Sequence, residues 1–161
     1  MASTMKSNPA SVVIDANVAI ALCAKEADKL ANANAKMKEY ATNGAQFFAP
    51  GVIVAECLFV FCKKRQDGVL TPAAHEAAVR AFVTLMAAVH PPPSGDKSLI
   101  ARAEEIRGSL GCRRSADGIY LALAEELSAV ALTEVVTFDN GMGAQARSHA
   151  IAVTVEVLPT V

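Results

Sequence analysis

Short apolar runs rich in β-branched residues alternate along this chain with longer segments whose apolar residues recur at helical spacing. That alternation is the strongest constraint on the fold, because strands separated by helices are joined by right-handed crossovers and build a parallel sheet covered on both faces. Ser11 to Asp15 reads as a first buried strand. The Ala-rich stretch from Asn17 to about Asn43 is helical, in one or two pieces, and Asn43-Gly44 stops it. Gln46 to Ala49 is a second strand. Pro50-Gly51 opens an apolar helix that runs to Lys63, Lys64 and Arg65 and ends at Asp67-Gly68. Thr71 and Pro72 supply the N-cap and first residue of the next helix, whose apolar stripe is Phe82, Leu85, Met86 and Val89. His90 and the prolines at 91, 92 and 93 break the chain. Leu99, Ile100, Ala103, Ile106 and Leu110 keep helical spacing as far as Gly111, and a further helix starts near Ser115. Val135 to Phe138 is a strand, Gly141 to Ser148 a short helix, and Ile151 to Val157 a last strand. The expected fold class is α/β, a three-layer α/β/α sandwich around a central parallel sheet.

A chain of 161 residues without internal repeats reads as one domain, here 11–161 behind a polar tail at 1–10. Although 53% of the residues are hydrophobic, the longest apolar stretches are interrupted. Val12 to Ala24 carries Asp15 and Asn17, and Val52 to Cys62 carries Glu56, so neither suits a membrane span or a signal-peptide core. The expected location is therefore the cytoplasm, with Cys23, Cys57, Cys62 and Cys112 as reduced thiols; none forms a CxxC pair or a zinc spacing. A net charge of −1 excludes a generic polycation, so any nucleic-acid binding must come from local charge.

Ligands of open α/β sheets sit outside the carboxyl ends of the strands. Four acids stand there or nearby. Asp15 ends the first strand, Asp139 follows a later one, Asp117 lies in the first turn of the helix beginning near Ser115, and Glu56 lies in the helix after the second strand. Asp15 and Asp139 each have an ordinary reading as a helix cap or Asx turn, and Asp117 as a carboxylate at the positive end of a helix dipole. Glu56 is different, because Val52, Ile53, Val54, Cys57, Leu58, Val60 and Phe61 surround it with apolar positions. A partly buried carboxylate needs a cation, a proton or a partner, and no basic residue is close to it in sequence. A bound metal is the economical answer. Four converging carboxylates would repel, and Mg²⁺ or Mn²⁺, which prefer oxygen ligands, would relieve that repulsion. Without these acids the formal charge changes from −1 to +3, so a mildly basic body surrounds an acidic pit, as suits an enzyme that approaches a polyanion.

Val12-Val13-Ile14-Asp15-Ala16-Asn17, Glu56, the run Ser115 to Ala124 with Asp117, and Val136-Thr137-Phe138-Asp139 together resemble, in order, the acidic motifs of PIN-domain nucleases, with the VapC toxins the nearest likeness. The resemblance extends over about 11 to 157. It implies a PIN-like, Rossmannoid sandwich, Mg²⁺ or Mn²⁺, and endonucleolytic hydrolysis of RNA. It further implies inhibition by a small antitoxin whose tail enters the active-site groove, and a homodimer. Carried over, Asp15, Glu56, Asp117 and Asp139 are the metal ligands and catalytic residues, with Thr137, Asn17 and Ser115 supporting them. Gly118 departs from the pattern, which has Ala more often, and the segment from Arg65 to Pro93 matches no motif.

Arg113 and Arg114 immediately precede the Asp117 helix and could reach phosphates flanking the site. Lys63, Lys64 and Arg65 suit a helix C-terminus instead. With no tryptophan, two tyrosines and six phenylalanines, an aromatic base-stacking platform is not expected, and His75, His90 and His149 share no motif. The run Gly141 to Ala146 fits GxGxxA, but a dinucleotide site needs an acid about 20 residues on, at the end of a following strand, and the sequence reaches only Val161. Asn17 denies the Asp-x-Asp of a haloacid dehalogenase-type phosphatase. Two alternatives stay open: a non-catalytic PIN-like scaffold that binds RNA or protein, and a housekeeping RNA-processing nuclease. The Ala-rich helices from Asn17 to Asn43 and Thr71 to Val89 are the expected dimer surface.

Overall fold

The computed structural model describes residues 7–108, 117–149 and 151–161. The first six residues of the expected tail, the helix end at Gly111, and Cys112, Arg113, Arg114 and Ser115 lie outside the described residues. Among the described residues the order is β1 (Ser11–Ile14), α1 (Ala16–Cys23), α2 (Leu30–Thr42), β2 (Gln46–Phe48), α3 (Val52–Gln66), α4 (Pro72–Met86), β3 (Val89–His90), α5 (Asp96–Gly108), α6 (Asp117–Ser128), β4 (Thr133–Thr137), α7 (Asn140–Ser148) and β5 (Thr154–Val157).

Val12, Val13 and Ile14 of β1, like Val135 and Val136 of β4, are β-branched, stiff at χ1 and fully buried, as central strands of a sheet covered on both faces must be. Helix α6, backed by α5, packs on β1 and β4, while α1 contacts β4 and is covered by α2, α3 and α4. The sheet runs β3-β2-β1-β4-β5 with every pair parallel, which is the expected three-layer α/β/α architecture. The chain works outward from β1 through β2 to β3, then returns to the other side of β1 with β4 and β5. The strand order therefore reverses between β1 and β4, and this switch point opens a crevice at their carboxyl ends. Ile14 pairs with Val136, so the next residues, Asp15 and Thr137, emerge side by side.

The helical stretch from Asn17 to Asn43 takes the two-piece form, with Lys25 at φ 54° in the break between the helices. Several other expectations are corrected. Val89 and His90 leave the helical pattern to pair with Phe47 and Phe48 as an edge strand, where the following prolines cost no ladder hydrogen bond. Strand β4 starts at Thr133 and stops at Thr137; Phe138 N donates instead to Asn17 Oδ1 (3.1 Å). The last strand begins only at Thr154, because Ile151 N closes the end of α7 on Ala146 O (3.0 Å). Phe82 is core, edge-on to Phe61, and the exposed large apolar residue of α4 is Val83, beside the exposed Ala73, Ala77 and Ala81. Gly118 has a packing reason: a Cβ there would lie 2.7 Å from Ala103 O, so the glycine lets α5 approach α6. Cys23 and Cys57 are buried free thiols and Cys62 is an exposed one. No helix among the described residues is long and apolar enough to cross a membrane.

Candidate active site

Asp15 follows β1 and occupies the N-cap position of α1, yet its side chain makes no capping bond to that turn. It turns sideways, where Thr137 Oγ1 donates to Asp15 Oδ2 (2.6 Å). The same hydroxyl oxygen accepts from Asn17 Nδ2 (3.0 Å) and from Asp139 N (2.9 Å), so one buried group ties β1, α1 and the end of β4 together. Asn17 is thus more than a helix-start residue. It clasps both Thr137 and the Phe138 amide, as its place beside the acids suggested. Asp139 does form the Asx turn expected on its ordinary reading, with Oδ1 accepting from Gly141 N (2.7 Å) at the start of α7.

Asp117 is the first residue of α6, and its Oδ2 accepts from Gln145 Nε2 of α7 (3.1 Å). Glu56 is half-buried on the inner side of α3. Its partner is Tyr120, whose hydroxyl donates to Glu56 Oε2 (2.6 Å). Among the described residues no lysine or arginine forms an ion pair with Asp15 or Glu56. A neutral hydroxyl, unforeseen from the sequence, answers part of the need that Glu56 posed.

All four acids line one cavity of about 320 Å³, with Asn17 beside them. Ile20, Val60 and the 68% exposed Phe59 form its apolar border. Asp15 is only 7% exposed. Its carboxyl is pushed up to about 7, first by burial and then by the negative charges of Asp117 and Glu56, against the Thr137 hydrogen bond, which favours the ionised form. Burial likewise pushes the neighbouring Cys57 thiol up to about 12, which leaves it a packing residue.

Other polar candidates are placed elsewhere. Lys64 pairs with Glu26 (2.8 Å) and Lys63 with Asp67 (2.9 Å), while His75, His90 and His149 do not line the cavity. Tyr120, Gln145 and Phe59 are the residues the sequence reading missed. Tyr120 and Gln145 each put a polar group on a helix face that is otherwise buried, one turn beyond Asp117 and within the last strand-to-helix unit respectively.

Residues 12–148 match the family model of the PIN domain. The chain belongs to the PIN domain family. The matched region takes in all four acids and the β1–β4 switch point of this PIN domain, and membership sets it within a family of nucleases, which are phosphodiester hydrolases. No curated protein is a significant match in sequence. Solved structures share its fold. VapBC2 from Rickettsia felis, bound to a DNA fragment from their promoter, matches with TM-score 0.59 and 12% identity over 92% of this chain and 98% of that one. FitAcB from Neisseria gonorrhoeae matches with TM-score 0.54 and 18% identity over 89% and 95%, and PAE2754 from Pyrobaculum aerophilum with TM-score 0.54 and 15% identity over 91% and 83%.

The donor set suits a hard divalent cation: carboxylate oxygens backed by hydroxyl and amide groups, with no histidine or cysteine lining the cavity among the described residues. Asp15, raised to about 7 first by burial and then by its acidic neighbours, would ionise readily beside a positive charge. Gln145 Oε1 is buried without a hydrogen-bond partner among the described residues, an acceptor that a metal-bound water would satisfy. No three His, Cys, Asp or Glu side chains among the described residues close into a ready-made cage. An open pit of this kind fits Mg²⁺, which keeps several waters and takes only one or two carboxylates directly.

Proposed function

We propose that this PIN domain is a metal-dependent endoribonuclease and the toxin of a toxin–antitoxin pair. The observation that carries the reading is the convergence of Asp15, Glu56, Asp117 and Asp139 on one cavity at the switch point of a PIN fold. These acids would hold Mg²⁺ or Mn²⁺, directly or through water. When bound, the metal supplies a water of lowered pKa and positive charge against the phosphate. The chain's own part is placement: Thr137 fixes Asp15, Gln145 steadies Asp117, and the Asx turn fixes Asp139. Arg113 and Arg114, just ahead of α6, are the proposed contacts to flanking phosphates, and exposed Phe59 presents an apolar face at the cavity border.

Fold likeness to VapBC2 and FitAcB supports the toxin reading, with a small antitoxin as the protein partner. A homodimer and a cytoplasmic location belong to the same proposal and rest on the family resemblance read from the sequence. Purified protein with Mg²⁺ or Mn²⁺ is expected to cut single-stranded RNA, and EDTA to stop it. Asp15→Asn and Asp117→Asn should each lose most of the activity while staying folded, because Asn keeps the shape and loses the ligand charge. Cleavage by either variant at the wild-type rate overturns the site, and RNA bound but never cut by wild type with Mn²⁺ identifies a binding scaffold.

A further inference from the structure

Tyr120 is fully buried in α6, and its hydroxyl reaches across to Glu56 on α3. A phenylalanine would fill the same space, and a buried hydroxyl is costly unless it is hydrogen-bonded, so the bond to Glu56 is what the oxygen is for. Glutamate reaches its carboxylate through three rotatable bonds, and a half-buried one left to itself samples several rotamers. We propose that Tyr120 is a positioning residue: its hydroxyl fixes one oxygen of Glu56 and so presents the other to the acid-lined cavity as a ligand for the divalent cation. This rests on the metal-dependent reading above. Helix α6 then supplies one acid directly, Asp117, and one turn later sets the orientation of a second that belongs to a different helix.

The chain carries its own control. Its other tyrosine, Tyr40 in α2, is also buried, and its hydroxyl also donates to a glutamate, Glu134. Glu134 lies three residues before Thr137 on β4, about 10 Å down the strand at ~3.3 Å per residue, and does not line the cavity. Tyr40→Phe and Tyr120→Phe therefore remove the same group from the same kind of pair. A purely structural hydroxyl predicts the same result for both, lower stability with unchanged cation binding.

Titration with Mn²⁺ by calorimetry, alongside steady-state RNA cleavage, separates the possibilities in wild type, Tyr120→Phe, Tyr40→Phe, Glu56→Gln and the Glu56→Gln/Tyr120→Phe double variant. Tyr120→Phe should weaken Mn²⁺ binding by about tenfold or more, the usual size for loss of a group that orients a ligand, and should lower kcat with KM for RNA unchanged. Tyr40→Phe should leave both as in wild type, and Tyr120→Phe added to Glu56→Gln should cost nothing further. Should Tyr120→Phe fail to fold, Glu56→Asp, which keeps the charge but is too short to hold the same bond, should show the same weakened binding. The proposal is overturned if Tyr120→Phe, or Glu56→Asp in its place, binds Mn²⁺ as wild type does, if Tyr40→Phe weakens it equally, or if the double variant shows independent losses. Wild type that takes up no Mn²⁺ overturns the metal reading itself and this proposal with it, a result distinct from normal uptake by every tyrosine variant.

Discussion

Asp15→Asn should stabilise the metal-free protein while abolishing cleavage, and the gain should grow with pH. Burial, reinforced by Asp117 and Glu56, raises the Asp15 carboxyl from 3.8 to about 7 in the folded state. The folded protein therefore holds a proton that the unfolded chain has already released. The stability linked to that proton is fully present below about pH 3.8 and is lost as pH rises through about 7. A shift of roughly 3 pKa units at ~1.36 kcal/mol each gives a loss of about 4 kcal/mol across that window. Asn carries no charge and escapes the loss, although its amide must find a partner, so a net gain of about 2–4 kcal/mol is expected at pH 8 in EDTA. For a chain of this size that is roughly 5–15 °C in Tm.

Melting curves of wild type and Asp15→Asn at several pH values from 4 to 8, in EDTA and in millimolar Mn²⁺, test this. Near pH 4 the two should melt almost together. In Mn²⁺ the gap at pH 8 should narrow or reverse, because only wild type gains fully from binding, about 2.7 kcal/mol at a hundredfold excess over Kd. A gap in EDTA that does not widen with pH would refute the reasoning. At Asp139 the same substitution should do less, since its carboxylate caps α7 and Asn caps as well as Asp.

Gly118→Ala should destabilise by about 1–3 kcal/mol in urea titration, since a Cβ 2.7 Å from Ala103 O forces α5 away from α6; a change below about 0.5 kcal/mol would mean the helices adjust freely. Val83→Glu, at a position 66% exposed on α4, should convert the expected homodimer to monomer in sedimentation while leaving the fold intact. A wild type that is monomeric at high concentration refutes the dimer, and Phe82→Glu is unsuitable for this purpose because it would break the core against Phe61.

Much of this was legible in the sequence because the signals were redundant. Val12-Val13-Ile14 and Val135-Val136 are buried-strand runs, each followed within a few residues by an acid, and the parallel sheet aligns those acids without further instruction. Residues whose roles depend on an unrelated element were not legible. Val89 and His90 form a strand only because β2 lies beside them, and nothing within two residues could say so. Tyr120 and Gln145 sit in apolar surroundings that read simply as core. Their partners are 64 and 28 positions away, and only the fold brings those groups to 2.6 and 3.1 Å. Asp139 kept both of its readings, since lining the cavity and capping α7 are compatible uses of one carboxylate.

The groups that hold Asp15 and Glu56 have one property in common. Thr137 donates to Asp15 and Tyr120 to Glu56, both donors are uncharged, and among the described residues neither acid forms an ion pair. A lysine or arginine in the place of Thr137 or Tyr120 would orient its carboxylate equally well, but would also neutralise it and lower the acid's affinity for any further cation. Neutral donors separate the two effects: they fix direction and leave the field negative. The raised Asp15 carboxyl is the consequence in the metal-free protein, where burial and like charges outweigh the hydrogen bonds from the Thr137 hydroxyl and the Ala16 backbone. The acid so raised ends a strand at the centre of the sheet and is buried, and for that reason removing its charge should stabilise the chain and disable it in the same step.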